Sequence, residues 1–195
     1  QLVTGVRGEA WSLRIGTLGG TTRRSQGTLT DALGQSYDMG SQSAVRPNFT
    51  SLGLEVGDFQ LSAVVDQLRM DQRDNFGENL PAASPIAFRS TNLQARYTWA
   101  PQPNLVLTPS LTYQDHKPWW TSGDLPEGFT QFSTERRRVA LAAMWDPRGD
   151  LTVTAGLMGR EDHSRSRSDR NDDGKIVPDE MPMRKWHRHG GFGRW

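Results

Sequence analysis

Residues 91–158 contain four segments of one design: Leu93-Gln-Ala-Arg-Tyr-Thr-Trp99, Leu105-Val-Leu-Thr-Pro-Ser-Leu-Thr-Tyr113, Val139-Ala-Leu-Ala-Ala-Met-Trp145 and Leu151-Thr-Val-Thr-Ala-Gly-Leu157. In each segment every second residue is apolar, and most of the residues between them are small or polar. Because successive side chains of a β-strand point to opposite faces, this alternation predicts four strands with one apolar face each. Pro109 conflicts with the pattern, since it removes a backbone donor, and predicts either a bulge or pairing on one side only.

The connections between these segments alternate in length. Ala100-Pro-Gln-Pro-Asn104 and Asp146-Pro-Arg-Gly-Asp150 are short and rich in turn formers, whereas residues 114–134 are long, polar and contain Trp, Pro and Gly. Short turns at one end and long loops at the other are typical of a transmembrane β-barrel of the outer-membrane type. Trp99 and Trp145 each lie beside a short turn, where such a barrel carries an aromatic girdle.

The same alternation extends over the rest of the chain. Further strand candidates are residues 9–18, 25–30, 35–43, 50–56 and 59–65, with turns at Asp31-Ala-Leu-Gly34 and Gly57-Asp58. A last segment, residues 191–195, brings the count to about ten strands. The predicted fold is all-β: an antiparallel up-and-down meander that forms part of a transmembrane outer-membrane β-barrel, with long outer loops near residues 70–90, 114–134 and 159–189.

Composition excludes several classes of protein. The mean hydropathy of −0.68 and the lack of any run of about 20 apolar residues exclude a membrane helix, but a barrel strand needs apolar side chains on one face only. A net charge of +1 gives no reason to expect a nucleic-acid partner. The chain has no cysteine, so it has neither disulfides nor thiol chemistry.

Two strand–turn–strand units carry a family resemblance. Tyr97-Thr-Trp-Ala-Pro-Gln-Pro-Asn-Leu105 and Met144-Trp-Asp-Pro-Arg-Gly-Asp-Leu151 resemble the periplasmic hairpins of TonB-dependent outer-membrane receptors. Ala10-Trp-Ser-Leu-Arg-Ile-Gly-Thr-Leu-Gly-Gly-Thr-Thr-Arg-Arg24 resembles the first barrel strands that follow the plug domain of such receptors. The resemblance implies that residues 1–8 are a plug–barrel junction or an N-terminal tail and that residues 9–195 are part of a larger barrel.

The resemblance also implies a function. It predicts an outer-membrane receptor of a Gram-negative bacterium that contacts outer-membrane lipid and binds a scarce small-molecule ligand (a siderophore, vitamin, sugar or peptide). A TonB-type energy-coupling protein would drive uptake through a plug that this sequence does not show. The polar strand faces would line the lumen, with residues Gln94, Arg96, Thr98, Thr108, Ser110, Thr112, Thr152 and Thr154. The alternatives are a passive porin or small outer-membrane barrel, and a soluble calcium-binding β-domain.

No catalytic motif is present, and an enzyme is not expected. The sequence contains neither a Gly-x-Ser-x-Gly elbow nor a His-Glu-x-x-His pair. No glycine-rich phosphate loop stands out either. We therefore assign no residue to catalysis and interpret the chain as a transport or binding protein.

The most specific motif is Asp169-Arg-Asn-Asp-Asp-Gly-Lys-Ile-Val-Pro-Asp-Glu180, which matches the spacing of a calcium-binding loop. Its oxygen ligands would come from Asp169, Asn171, Asp173, the carbonyl of Lys175 and a bidentate Glu180. A bound Ca²⁺ would hold the loop together rather than act as a sensor. The alternative is an acidic, solvated loop tip.

Three other groups have two interpretations each. Trp119, Trp120 and Phe129 are candidate ligand-binding residues, because exposed aromatic rings stack on sugars or planar chelates, but they would equally pack loops together. Arg136, Arg137 and Arg138 would pair with lipid phosphates or remain solvated at the rim. His187 and His189 would share a strand face and bind a transition metal, or form a basic strand end.

Overall fold

The computed structural model describes residues 1–75, 78–120, 131–148, 150–167 and 184–194. Its strands are β1 (Leu2–Arg7), β2 (Trp11–Gly19), β3 (Thr22–Arg23), β4 (Thr28–Thr30), β5 (Ser36–Asp38), β6 (Ala44–Val56), β7 (Phe59–Asn75), β8 (Glu78–Tyr97), β9 (Trp99–Gln102), β10 (Leu105–Trp120), β11 (Gln131–Arg148), β12 (Leu151–Arg167) and β13 (Arg184–Arg194). The described part of the chain has no helix that is long and apolar enough to cross a membrane.

One large antiparallel sheet contains most of these strands. Its order is β1-β2-β6-β7-β8-β10-β11-β12-β13, with β3 paired to β6 and β9 paired to β10. The strands of this path lie in the sheet in the same order as in the chain, so the sheet is the predicted antiparallel up-and-down meander. Within the described residues β1 and β13 are its two edges and do not pair with each other.

The connections alternate between the two ends of the sheet, as predicted. At one end, the turn end, short connections join β1 to β2, β6 to β7, β9 to β10 and β11 to β12. The Gly57-Asp58 turn is among them, and Gly57 has a φ of 53°, which favours glycine. The connections β2–β6, β7–β8, β10–β11 and β12–β13 lie at the other end, the loop end.

The predicted boundaries of the long outer loops are wrong. Strands β7 and β8 continue through most of residues 70–90, β10 and β11 enter 114–134 from both sides, and β12 and β13 do the same for 159–189. Most of these strand ends have polar residues on both faces, and the end of β8 contains Pro81 and Pro85, so they lack the alternation on which the sequence prediction relied. Hydrogen bonds and ion pairs support them instead, such as the bidentate contact of Arg46 with Asp71 at 3.1 and 3.2 Å.

The N-terminal part of the chain also differs from the prediction. Leu2–Arg7, interpreted as a junction or tail, forms the edge strand β1 and pairs with β2. The predicted Asp31–Gly34 turn exists, because Asp31 Oδ1 accepts hydrogen bonds from the backbone of Leu33 and Gln35 at 2.9 and 2.8 Å. However, it joins β4 to β5 in a separate two-stranded sheet within the β2–β6 connection. The turn therefore belongs to the loop end and not to the turn end.

The position of Pro109 explains how a proline fits inside β10. On one side Pro109 pairs in register with Leu141 of β11. On the other side the pairing with β8 stops at Ser110 and the pairing with β9 resumes at Leu107. Thr98, between β8 and β9, donates its backbone N–H to Asp58 at 3.0 Å instead. Pairing at Pro109 is thus one-sided, which was one of the two predicted solutions.

The register aligns the alternating apolar residues of neighbouring strands on one face, which we call the apolar face. Leu111 pairs with Ala95 and Val139, and Leu141 pairs with Pro109 and Leu157. The same face continues through Leu61, Leu54, Leu13 and Val6 on the strands towards β1. On β10 it runs from Leu105 to Tyr113, close to the roughly 9–11 residues with which a tilted strand crosses a bilayer.

The apolar face is not covered by protein. Val139 is 62% exposed, Leu157 69% and Leu111 53%. The buried apolar residues in the described part of the chain are Met39, Ala44 and Ile86, which lie outside the central part of this face. The described strands therefore do not form a hydrophobic core of the kind found between two packed sheets.

Candidate functional site: the polar face and its loop-end rim

The opposite face of the sheet, the polar face, carries the side chains that were predicted to line a lumen. Strand register places Arg96 beside Ser110, and Gln94 beside Thr112, which in turn pairs with Arg138. Thr108 pairs with Ala142, and Thr154 pairs with Met144. Since Ala142 and Met144 share one face of β11, both threonines lie on the polar face. Most of the predicted set is therefore brought together, but Thr98 lies at the interruption between β8 and β9.

A first group of polar side chains, the turn-side cluster, lies near the turn end. Ser12 Oγ donates to Glu55 Oε2 at 3.1 Å, and the Arg14 guanidinium binds the other oxygen of the same carboxylate. Arg96 donates to the Gln60 side-chain oxygen. These residues lie around a cavity of about 200 Å³ whose lining includes Arg14, Glu55, Gln60 and Arg96. The cluster joins β2, β6, β7 and β8, so it also fixes their relative positions.

A second group, the rim-side cluster, lies beyond the apolar segments of β10, β11 and β12. Arg136 Nε donates to Asp162 Oδ1 at 2.7 Å, and Arg160 Nε lies 3.1 Å from Asp162 Oδ2. The hydrogen bond from Arg136 is the main reason that the pKa of Asp162 lies below its ordinary value. Asp162 therefore stays ionised at neutral pH between two guanidinium groups.

The remaining members of the rim-side cluster add donors without adding negative charge. Arg138 donates to Thr112 Oγ1 at 3.2 Å, and Gln114 donates to the Asn92 side-chain oxygen at 3.1 Å. Thr112 is buried. The cluster therefore holds the guanidinium groups of Arg136, Arg138 and Arg160 against the single carboxylate of Asp162, and its surplus charge is positive. Such an arrangement favours ligands with acidic or strongly hydrogen-bonding oxygen atoms.

The three consecutive arginines do not act as one group. Arg136 and Arg138 bind polar-face partners, whereas Arg137 pairs with Tyr113 in register and contacts Glu135 at 2.6 Å on the other face. Strand alternation separates neighbours in sequence in this way. Arg136 and Arg138 therefore bind protein partners on the polar face, and contact of these arginines with lipid phosphates stays a prediction.

The two tryptophans of the predicted aromatic site lie at the loop end of β10. Trp119 has a φ of 54°, and its ring contacts Phe88 edge-on at 4.5 Å. Trp120 follows a register shift and pairs with Ala87, and Lys117 Nζ lies 5.7 Å from its ring centre. The two rings thus have different neighbours. Phe129 lies outside the described residues, so a common stacking surface stays a prediction.

The predicted metal sites fall mainly on parts of the chain that the structure leaves undescribed. Asp169, Asn171, Asp173, Lys175 and Glu180 all lie outside the described residues, and the calcium loop stays a prediction. The backbones of His187 and His189 pair with Glu161 and Gly159 on β12. No group of three or more potential metal-ligating His, Cys, Asp or Glu residues occurs among the residues that are described.

Sequence reasoning missed the partners that stabilise these clusters. Arg14 and Glu55 are 41 residues apart, and Arg136 and Asp162 are 26 residues apart. A charged residue on the polar face of a strand was the available signal, but naming its partner requires the register between strands.

Comparison with protein-family models, curated proteins and solved structures gives no match to this chain.

Proposed function

We propose that this chain forms part of the wall of a transmembrane β-barrel in the outer membrane of a Gram-negative bacterium. In this proposal the barrel is an uptake receptor that binds a scarce small-molecule ligand. The observation that carries the proposal is the exposed apolar face, which spans the sheet at one height and has no protein cover in the described part of the chain. The strands form a wall, and no residue is assigned to catalysis.

The energetics of the apolar face favour lipid as its neighbour. A Leu or Val side chain gains roughly 1.5–3 kcal/mol when it is fully removed from water. Leu93, Leu111, Val139, Leu141 and Leu157 are all substantially exposed on this face. A contiguous exposed apolar surface of this kind marks a protein or membrane interface, since monomers in water rarely tolerate it. Lipid supplies an apolar neighbour along the whole meander without a second protein layer.

Aromatic residues at the turn end support the same assignment. Trp11, Tyr97, Trp99 and Trp145 are exposed at or beside the turn end. Leu105 pairs with Trp145, and Leu107 pairs with Trp99, so the tryptophans lie near one level of the sheet. Amphipathic rings at one level correspond to the aromatic girdle of an outer-membrane barrel at the membrane–water boundary.

The polar face supports a lumen. A bilayer cannot solvate the guanidinium groups of Arg14, Arg96 and Arg138, whereas a water-containing lumen can. The rim-side cluster on the polar face has more hydrogen-bond donors than carboxylates, which suits a ligand that carries acidic oxygen atoms. The assignment as a receptor, rather than a passive porin, rests on the resemblance of the hairpins to TonB-dependent receptors. Energised uptake through a plug and an energy-coupling protein is part of the same proposal.

Spin labels on adjacent residues test the membrane assignment. Labels at Ala95 and Ala143 probe the apolar face, and labels at Arg96 and Ala142 probe the polar face of the same strands. In lipid vesicles we expect the first pair to respond to a lipid-soluble relaxant such as oxygen and the second pair to a water-soluble nickel chelate. Shielding of the first pair from both reagents would place the apolar face in a protein core and would overturn the proposal in favour of a soluble β-domain.

Uptake in cells tests the receptor assignment separately. Cells that lack the gene for this protein are expected to lose uptake of one class of labelled ligand, and removal of the energy-coupling protein should give the same loss. Uptake that persists without the energy-coupling protein but still requires this chain would show a passive porin. That result would leave the membrane assignment intact.

A further inference from the structure

Four basic side chains on adjacent strands face the same side of the sheet at the loop end. Arg46 of β6 pairs in register with Arg69 of β7, and Arg89 of β8 pairs with Lys117 of β10. Arg89 also pairs with Gln67, two residues before Arg69. These four cations, which we call the basic rim site, line a cavity of about 470 Å³ together with Trp120 and Pro85.

The basic rim site has more positive than negative charge. Asp71 neutralises Arg46 at 3.1 Å, and Asp115 lies 3.4 Å from Lys117. Arg69 Nε and Nη2 lie 3.0 and 3.2 Å from the side-chain amide of Gln67, which carries no charge, so the positive charge of Arg69 is not compensated there. Arg89 has no carboxylate partner among the residues that the structure describes. Two guanidinium groups are therefore available for an anion, and a planar guanidinium binds phosphate oxygens in pairs.

The position of the site restricts the source of the anion. Strand parity puts all four cations on the apolar face, beyond its apolar part. Arg89 lies four residues from Leu93 along β8, which is about 13 Å at roughly 3.3 Å per residue. An acyl chain against Leu93 and Leu111 would thus place its headgroup near Arg89. Trp120 lies at the same level and is exposed, as expected for a ring at the boundary between lipid and water.

We infer that the basic rim site binds the phosphate-bearing headgroup of a membrane lipid. The inference rests on the proposed function, because the acyl chains need the apolar face to lie in lipid. The chemistry shared with free phosphate is an oxyanion held by Arg69 and Arg89, but the adjoining apolar face adds acyl-chain contacts that free phosphate cannot make. Charge complementarity and continuity with this face therefore select a lipid.

The test compares lipid binding by the folded chain and two sets of variants. The chain in neutral detergent is titrated with phosphatidic acid, and bound lipid is counted by native mass spectrometry. Replacing both free cations, Arg69→Gln with Arg89→Gln, should weaken phosphatidic acid binding roughly tenfold, since it removes two charge-assisted contacts. Arg148→Gln removes an exposed cation at the turn end and should leave binding unchanged. The single substitution Arg89→Lys keeps the charge, and this variant should retain most of the affinity of the unmodified chain for phosphatidic acid.

Two further arms separate the possible failures. Inorganic phosphate at matched concentrations should not displace phosphatidic acid, and displacement would overturn the lipid assignment. Equal affinity of the double variant and the unmodified chain would overturn the site. Flotation with neutral phosphatidylcholine vesicles is measured on every variant. If the chain floats with the vesicles but the double variant binds phosphatidic acid as tightly as the unmodified chain, only this inference is overturned. If the unmodified chain does not float, the membrane proposal is overturned and the inference with it.

Discussion

Placing a charge at the middle of the apolar face gives the sharpest test of which solvent that face meets. Leu141 lies four residues from Trp145 at the turn end and four residues from Arg137 at the loop end, about 13 Å from each at roughly 3.3 Å per residue. Its register partners are Pro109 and Leu157, so no polar side chain lies directly beside it in the sheet. Leu141→Arg therefore puts a guanidinium at the greatest available distance from either polar boundary.

The expected cost depends on the surroundings of the face. At the midplane of a bilayer, an arginine on the lipid face of a barrel costs about 2–4 kcal/mol of folding free energy. This corresponds to a roughly 30- to 700-fold change in the folding equilibrium constant. The same substitution at an exposed position in water changes stability by only about 0.5 kcal/mol in either direction. Leu141 is 40% exposed in the structure, so water as its neighbour predicts the small value.

Two matched variants control for effects unrelated to lipid. Ala142→Arg puts the same side chain on the polar face, where the register partners Thr108 and Gly156 are small and leave room. Leu151→Arg stays on the exposed apolar side but lies at the turn end, where the cost near the interface falls to about 0–1 kcal/mol. The expected order of destabilisation in vesicles is Leu141→Arg first, followed by the two controls.

The assay is urea unfolding of the chain in phosphatidylcholine vesicles, followed by tryptophan fluorescence. Costs for Leu141→Arg and Ala142→Arg that agree within about 0.5 kcal/mol would refute the assignment of the apolar face to lipid. A large cost for Leu141→Arg in water, without vesicles, would instead show that another protein surface covers this face.

Three further predictions concern turn geometry, charge and calcium. Gly57→Ala should cost about 1–2 kcal/mol because Gly57 has a positive φ, whereas Gly19→Ala, with open space around the added methyl group, should cost much less; urea unfolding measures both. Folding lowers the pKa of Asp162, so the ionised carboxylate stabilises the fold at a pH above its unfolded-state pKa, and this stability is lost as the pH falls through the folded-state pKa. Arg136→Gln should therefore raise the pKa of Asp162, measured by NMR, and shift acid unfolding to higher pH, measured by fluorescence. If the 169–180 motif binds calcium, millimolar Ca²⁺ should raise the melting temperature, and Asp169→Asn with Glu180→Gln should abolish the rise; an unchanged melting temperature in the unmodified chain would favour the acidic solvated loop.

The sequence allowed prediction of those strand segments in which one face had to be apolar. Leu105 to Tyr113 and Val139 to Trp145 were placed on strands that the structure contains, and the faces assigned to them meet in register. The turn residues also identified three connections that the structure has at the turn end: Gly57–Asp58, Ala100–Asn104 and Asp146–Asp150. Both signals are local, since one depends on neighbouring side chains and the other on a few backbone angles.

The parts that could not be predicted depend on long-range pairing. The extension of β7 towards the loop end has polar residues on both faces, so hydrophobic periodicity does not distinguish it from a loop. The extension of β8 contains Pro81 and Pro85, which are turn signals in sequence. Leu2–Arg7 was missed because Val3 interrupts the contrast between its two faces. The Asp31 turn was recognised from its own chemistry, but its place at the loop end follows from β3 pairing with β6, which no local signal reports.

The strand extensions connect the apolar face with the charged rim. In the proposed membrane arrangement, strands that ended with their apolar segments would leave backbone N–H and C=O groups without ladder partners at the level where lipid headgroups replace acyl chains. By continuing beyond Leu93 and Leu111, β8 and β10 carry their hydrogen-bond ladder past this boundary to Arg89 and Lys117. The register that aligns the apolar residues of adjacent strands then necessarily aligns the charged residues that follow them. A continuous apolar face and a row of cations above it are therefore two results of one set of strand pairings, and a register shift in β8 would disrupt both together.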